Sequence, residues 1–217
     1  MAFLEESIEF MNWNQHKNYE GSHAFLSASK YTWLNKTNEE LVMSYTNSWS
    51  QSIGTMMHAY AADAIRFREK LRKTDAKGAK FDLMRKGIPE YAIDIRSFFP
   101  TVMQYVNDAI DYMMDPEILL YYSDLCFGTA DSIQVSNGVL RIHDLKTGST
   151  IAKIDQLKIY AALFYLEYGY KPERLRTELR IYQSGDILVH EPEVEEIREV
   201  MNGIVEKDRV LQKLKEV

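Results

Sequence analysis

The sequence predicts an α/β (α+β) domain, a central mixed sheet flanked by helices behind a mainly helical N-terminal half. Three observations carry this. Apolar residues recur at helical spacing through WSQSIGTMMHAYAADAIRFREKLR and SFFPTVMQYVNDAIDYMM in the first half. After Pro116 the chain turns rich in β-branched and aromatic residues, and Asn137-Gly138 is a strong local signal for a two-residue hairpin turn. The resulting order of helices, hairpin, helix, strands and helix is that of a sheet covered by helices.

In chain order, Ser27 or Ser29 caps a short helix that carries Tyr31, Trp33 and Leu34. A long helix is expected from Trp49 to Arg72, with Gly54 near its start and basic residues gathered at its end, where they suit the helix dipole. KTDAKGAKFDLMRKGIP (73–89) reads as a loop or weakly ordered arm, and a further helix follows over 97–114. The β hairpin is succeeded by a long helix over 151–169 that ends at Gly169, with Pro172 beyond it. A second strand pair lies around Ser184-Gly185-Asp186, and 193–217 forms a charged closing helix. With no repeat, low-complexity tract or clear linker, one domain is expected over 1–217. Its parts are a helical part (1–115), the hairpin, helix and strands (116–192), and the closing helix (193–217).

Composition narrows the function classes. The longest apolar stretches fall short of the ~18 residues that a membrane helix needs, and MAFLEESIEF has no charged-then-apolar export pattern. A soluble, cytoplasmic protein without a membrane partner is expected. One cysteine, Cys126, excludes an internal disulfide and any multi-cysteine cluster of this chain. The net charge of −6 argues against a protein that merely coats nucleic acid. Locally the balance reverses. Arg66, Arg68, Lys70, Arg72, Lys73, Lys77, Lys80, Arg85 and Lys86 face only Glu69, Asp75 and Asp82 between positions 66 and 86. That local excess is either a solvated helix end or a phosphate-contacting arm.

Chemistry concentrates around the hairpin. A two-residue turn at Asn137-Gly138 pairs Ser136 with Val139, and the same register places Asp131 opposite Asp144. One face then holds Asp131, Ile133, Val135, Leu140, Ile142, Asp144 and Lys146, and the other holds Ser132, Gln134, Arg141 and His143. Two carboxylates at the end of an apolar face repel each other and resist desolvation. Lys146 is one charge short of compensating them, and a hard divalent cation such as Mg²⁺ supplies the remainder. The plain alternative is an Asp-Lys ion pair. Gln156 and Tyr160 lie four apart on one face of the following helix, with Lys153 just before them. His58 sits on a helix of small and apolar neighbours.

Taken together, LSASKYTWL, Gly54-x-x-x-His58, Gly128-x-x-Asp131, DLKTG (144–148) and Gln156-x-x-x-Tyr160 resemble the RecB/Cas4-like branch of the PD-(D/E)XK nuclease superfamily, over about residues 25–190. The resemblance implies a restriction-endonuclease-like core. It implies that His58, Asp131, Asp144 and the carbonyl of Leu145 hold one or two Mg²⁺ or Mn²⁺ ions. Lys146 would orient or help deprotonate water, and Gln156 and Tyr160 would position the site and the strand. Glu117 is a further acidic candidate. The chain departs from many of those relatives in lacking the cysteines of an iron-sulfur cluster, and some relatives carry Glu in place of Asp144. No glycine-rich phosphate loop appears, so a helicase or strand-annealing partner would be a separate chain.

The expected activity is metal-dependent hydrolysis of DNA in recombination, repair or degradation, by an exonuclease of the kind found in bacterial or phage genomes. Arg66, Arg68, Arg72, Lys73, Lys77, Lys80 and Lys153 would grip phosphates. The alternatives are a structure-selective endonuclease on the same core and a non-catalytic DNA-binding or assembly module. Oligomeric state is left open.

Overall fold

A computed structural model describes residues 14, 16–19, 21–148 and 151–215. The chain divides into two compact units, Met1–Tyr45 and Thr46–Val217. In the first, Ala28–Asn35 forms the expected short helix as a 3-10 helix, kinked at Lys30. Ser27 stands at its N-cap, yet its hydroxyl meets Ser29 Oγ at 2.8 Å rather than a backbone N–H. α1 (Asn38–Asn47) follows a reciprocal cap in which Glu40 N–H donates to Thr37 Oγ1 and Thr37 N–H donates to Glu40 Oε2.

The second unit holds a five-stranded mixed sheet between two helical layers. It runs α2 (Ser50–Arg66), α3 (Ala76–Arg85), α4 (Ile95–Asp111), β1 (Asp115–Ser123), β2 (Cys126–Ser136), β3 (Val139–Lys146), α5 (Asp155–Tyr168), β4 (Arg176–Gln183), β5 (Asp186–His190) and α6 (Val194–Lys215). Spatial order follows chain order, and every pairing is antiparallel except β3 with β4, which the α5 crossover makes parallel. The expected α+β class, a mixed sheet flanked by helices, is the fold observed. Residues 216 and 217 of the expected closing helix lie outside the described residues.

Two expectations are corrected. The helix expected to reach Arg72 ends at Arg66, because Arg68 takes a left-handed backbone (φ 57°) and closes a stop in which Glu69 N–H bonds Ala64 O and Arg68 N–H bonds Ile65 O. The expected arm over 73–89 instead contains α3. Asp75 accepts the Arg72 N–H, and Ala79 and Leu83, four apart, are buried against the core.

The sheet separates two apolar cores. On one side α2, α3 and α4 pack with Met114, Leu145 and Tyr182. On the other, α5 and Ile197 of α6 pack with Leu120, Ala130, Ile133, Leu140, Ile142, Leu179 and Ile181. β3 is covered on both faces, so Asp144 lies buried on the α5 side of the strand, after the apolar Leu140 and Ile142. The polar stripe Ser132, Arg141 and His143 is covered too. Arg141 and Arg180 stack on Tyr112 at 4.6 and 4.9 Å and share the buried Glu178, while His143 meets the Tyr182 hydroxyl at 3.3 Å. Desolvation in this network, with Arg180 and Arg141 nearby, lowers the pKa of His143 to about 3.

Candidate metal centre

The hairpin turn forms with the expected register. Asn137 and Gly138 have φ of 50° and 73°, and the pairing runs from Ser136↔Val139 to Ser132↔His143. The register does not carry on to Asp131 and Asp144. Glu117, which falls opposite Asp131 on β1, has a left-handed backbone (φ 56°), and the alternation of β2 slips there. Ala130 and Ile133 both join the α5 core, while Ser132 between them points to Met114 on the other side. The slip frees Asp131 from a place directly across from Asp144. Its Oδ2 instead accepts the Leu145 N–H at 2.8 Å and lies 3.4 Å from His58 Nδ1.

Three candidate ligands therefore converge. Ligand atoms of His58, Glu117 and Asp131 lie within 4.8 Å of one another. They line a cleft of about 640 Å³ together with Gly54, Ala62 and Arg66. Burial disfavours a charged His58, but the Asp131 hydrogen bond and the charges of Asp131 and Asp144 outweigh it and raise its pKa. Partial burial, then the charge of Asp131, raise that of Glu117.

Asp144 and Lys146 share the α5 face, as expected. Lys146 Nζ donates to Asp144 Oδ1 at 2.9 Å and to Gln156 Oε1 at 3.1 Å, and Gln156 Nε2 donates to the Tyr160 hydroxyl at 3.1 Å. Asp144 is 2% exposed, and among the described residues its Oδ2 has no hydrogen-bond partner. Burial first, and the charge of Asp131 second, push its pKa up to about 6 against the pull of Lys146.

The glycines of the sequence patterns now have a physical reason. A Cβ on Gly128 would stand 2.9 Å from Tyr160 Cε1, and one on Gly54 would stand 3.0 Å from Thr147 Oγ1. Gly128 thus seats the Tyr160 ring on β2, and Gly54 lets α2 approach the end of β3. Gln183 went unnoticed in the sequence. It pairs with Lys146 across the parallel β3–β4 step, donates from Nε2 to Gly148 O and accepts the Ala152 N–H, tying the two ends of the loop that joins Lys146 to α5. Only the parallel register identifies it.

The family described as protein of unknown function (DUF2800) matches residues 23–201. The chain belongs to that family. Every residue of the DUF2800 chain described in this centre lies inside the matched segment. No curated protein and no solved structure matches the chain.

The expected phosphate-gripping residues are scattered by comparison. Arg66 lines the His58 cleft, and Lys153 lines a second hollow with Lys146 and Gln156. Arg66, Arg68, Lys70, Lys80 and Arg85 have carboxylate neighbours in Asp63, Asp115, Asp111, Glu90 and Asp82. Among the described residues Arg72, Lys73, Lys77 and Lys86 form no ion pair, and no helix is long and apolar enough to cross a membrane.

Proposed function

We propose that this chain is a metal-dependent deoxyribonuclease of the PD-(D/E)XK type, acting as an exonuclease on DNA. The observation that carries the reading is the buried Oδ2 of Asp144, without a hydrogen-bond partner among the described residues, beside Lys146 on the strand whose backbone is bonded to Asp131. A buried carboxylate oxygen without a partner is costly unless a cation or a proton completes it.

The donor set fits a hard divalent ion such as Mg²⁺ or Mn²⁺. His58, Glu117 and Asp131 bring together one imidazole nitrogen and two carboxylates, the ligand types such ions accept; Asp144, expected as a further ligand, stands outside that group, and Leu145, expected to add its carbonyl, is bonded to Asp131 through its N–H. When bound, the ion would neutralise phosphate oxygens and lower the pKa of a coordinated water. The remaining work falls to the chain. Lys146, held between Asp144 and Gln156, presents its ammonium beside the site, where it would hydrogen-bond the nucleophile and offset developing charge. Tyr160 and Gln156 fix the lysine from the α5 side, and Arg66 and Lys153 offer cations at the two hollows for the strand to either side.

The test is digestion of end-labelled linear DNA, single- and double-stranded, beside a covalently closed circle, with Mg²⁺, Mn²⁺ or EDTA. Loss of linear DNA alone is expected, abolished by EDTA and reduced about 10²-fold or more by Asp144→Ala or Lys146→Ala. Cleavage of the circle would replace the exonuclease by an endonuclease. Undiminished cleavage by either variant would remove the assignment of this site.

A further inference from the structure

α6 carries features that its own unit does not use. It is held to the body near its start and middle, where Lys158 pairs with Glu196, Ser123 bonds Asp208 and Ile197 is buried. Beyond these contacts it leaves Val210 58% and Leu214 69% exposed. Between α5, α6 and the β1–β2 turn runs an apolar groove of about 540 Å³, lined by Leu125, Ile159, Val200, Gly203, Ile204 and Leu211.

Gly203 stands inside this helix on the groove side. An interior helical glycine is unfavourable relative to alanine. Nothing within the unit requires it, since a Cβ there would meet only the flexible end of Lys207 at 4.0 Å. Such a position suits a close approach by another backbone. The charges of α6 also divide at Gly203. On its N-terminal side Glu195, Glu196 and Glu199 against Arg198 make −2, and on its C-terminal side Lys207, Arg209, Lys213 and Lys215 against Glu206 and Asp208 make +2.

We propose that the occupant of the groove is a second copy of this chain, docked through α6 about a two-fold axis at Gly203. Antiparallel helices crossing there set each acidic half against the partner's basic half, and Glu199 of each copy faces Lys207 of the other. Parallel pairing would oppose like charges. Among the described residues neither Glu199 nor Lys207 forms an ion pair within its own chain, so both are available to the partner. The shed water comes from the Ile159, Val200 and Leu211 surfaces, which supplies the hydrophobic part of the association.

The full chain is weighed by sedimentation equilibrium at a series of concentrations, with the charge variants Glu199→Lys and Lys207→Glu and their combination. Both side chains are exposed, so circular dichroism is expected to show the same helix content in all forms. A dimer is expected for the wild type. Each single reversal should weaken it at least tenfold, and the double reversal, which restores opposite charges, should recover it. A wild-type chain that is monomeric throughout, with the groove left to its own residues or another protein, overturns the proposal. So does a dimer indifferent to all three variants. Neither result bears on DNA cleavage, because α6 contributes no residue to the metal centre.

Discussion

Asp144 has one oxygen bonded to Lys146 and the other without a hydrogen-bond partner among the described residues, in surroundings that lift its pKa to about 6. Its folded-state value lies above the ordinary 3.8. The metal-free fold is therefore not penalised by this group at low pH, and it loses stability as pH rises from the ordinary value through the raised one. At full ionisation the loss is about 3 kcal/mol. Asp144→Asn is expected to stabilise the metal-free protein at about pH 8 and to do so far less at about pH 4, measured by urea unfolding in EDTA. Equal destabilisation at both would make the carboxylate a structural partner of Lys146. Asp144, Lys146, Gln156 and Tyr160 were legible because strand and helix periodicities place them on facing surfaces. The meeting of Asp131 with Glu117 was not, since it depends on a left-handed backbone at a glutamate, a residue type that gives no warning of one.

At the scale of elements, glycine spacing rather than charge sets how closely strands and helices meet. Gly128→Ala would drive a methyl group to 2.9 Å from Tyr160 and part Tyr160 from Gln156. A loss of about 1–3 kcal/mol is expected. Most of it should be recovered in the Gly128→Ala/Tyr160→Ala pair relative to Tyr160→Ala alone, as read from denaturant midpoints. The hairpin could be read to the residue because its turn chemistry is local. The ends of α2 and α4 could not, because Arg68 and Met113 occupy left-handed stops that usually carry glycine. α3 was hidden by its density of lysine and by Gly78, although Ala76, Ala79 and Leu83 keep helical spacing.

Across the whole molecule, the sheet, both cores and the complete centre lie in the unit that begins at Thr46. A chain starting there is expected to unfold cooperatively and to show the divalent-ion binding proposed for the full chain, checked by thermal unfolding and by calorimetric titration with Mn²⁺. Loss of the cooperative transition would show that the first 45 residues contribute to the fold. The acidic net charge, which argued against a simple nucleic-acid coat, is partly a matter of placement. Asp63, Asp111, Asp115 and Glu90 pair with basic residues of the 66–86 segment and mute an excess that looked free in sequence. His58, Asp131 and Tyr160 come from three well-separated stretches, and the loop behind Lys146 is tied by Gln183, which the ribosome adds later still. During synthesis, then, the tie that Gln183 makes behind Lys146 forms only after β4 has emerged and docked beside β3. On the proposed reading, a chain cut short upstream of that strand would lack this tie and would not cleave DNA.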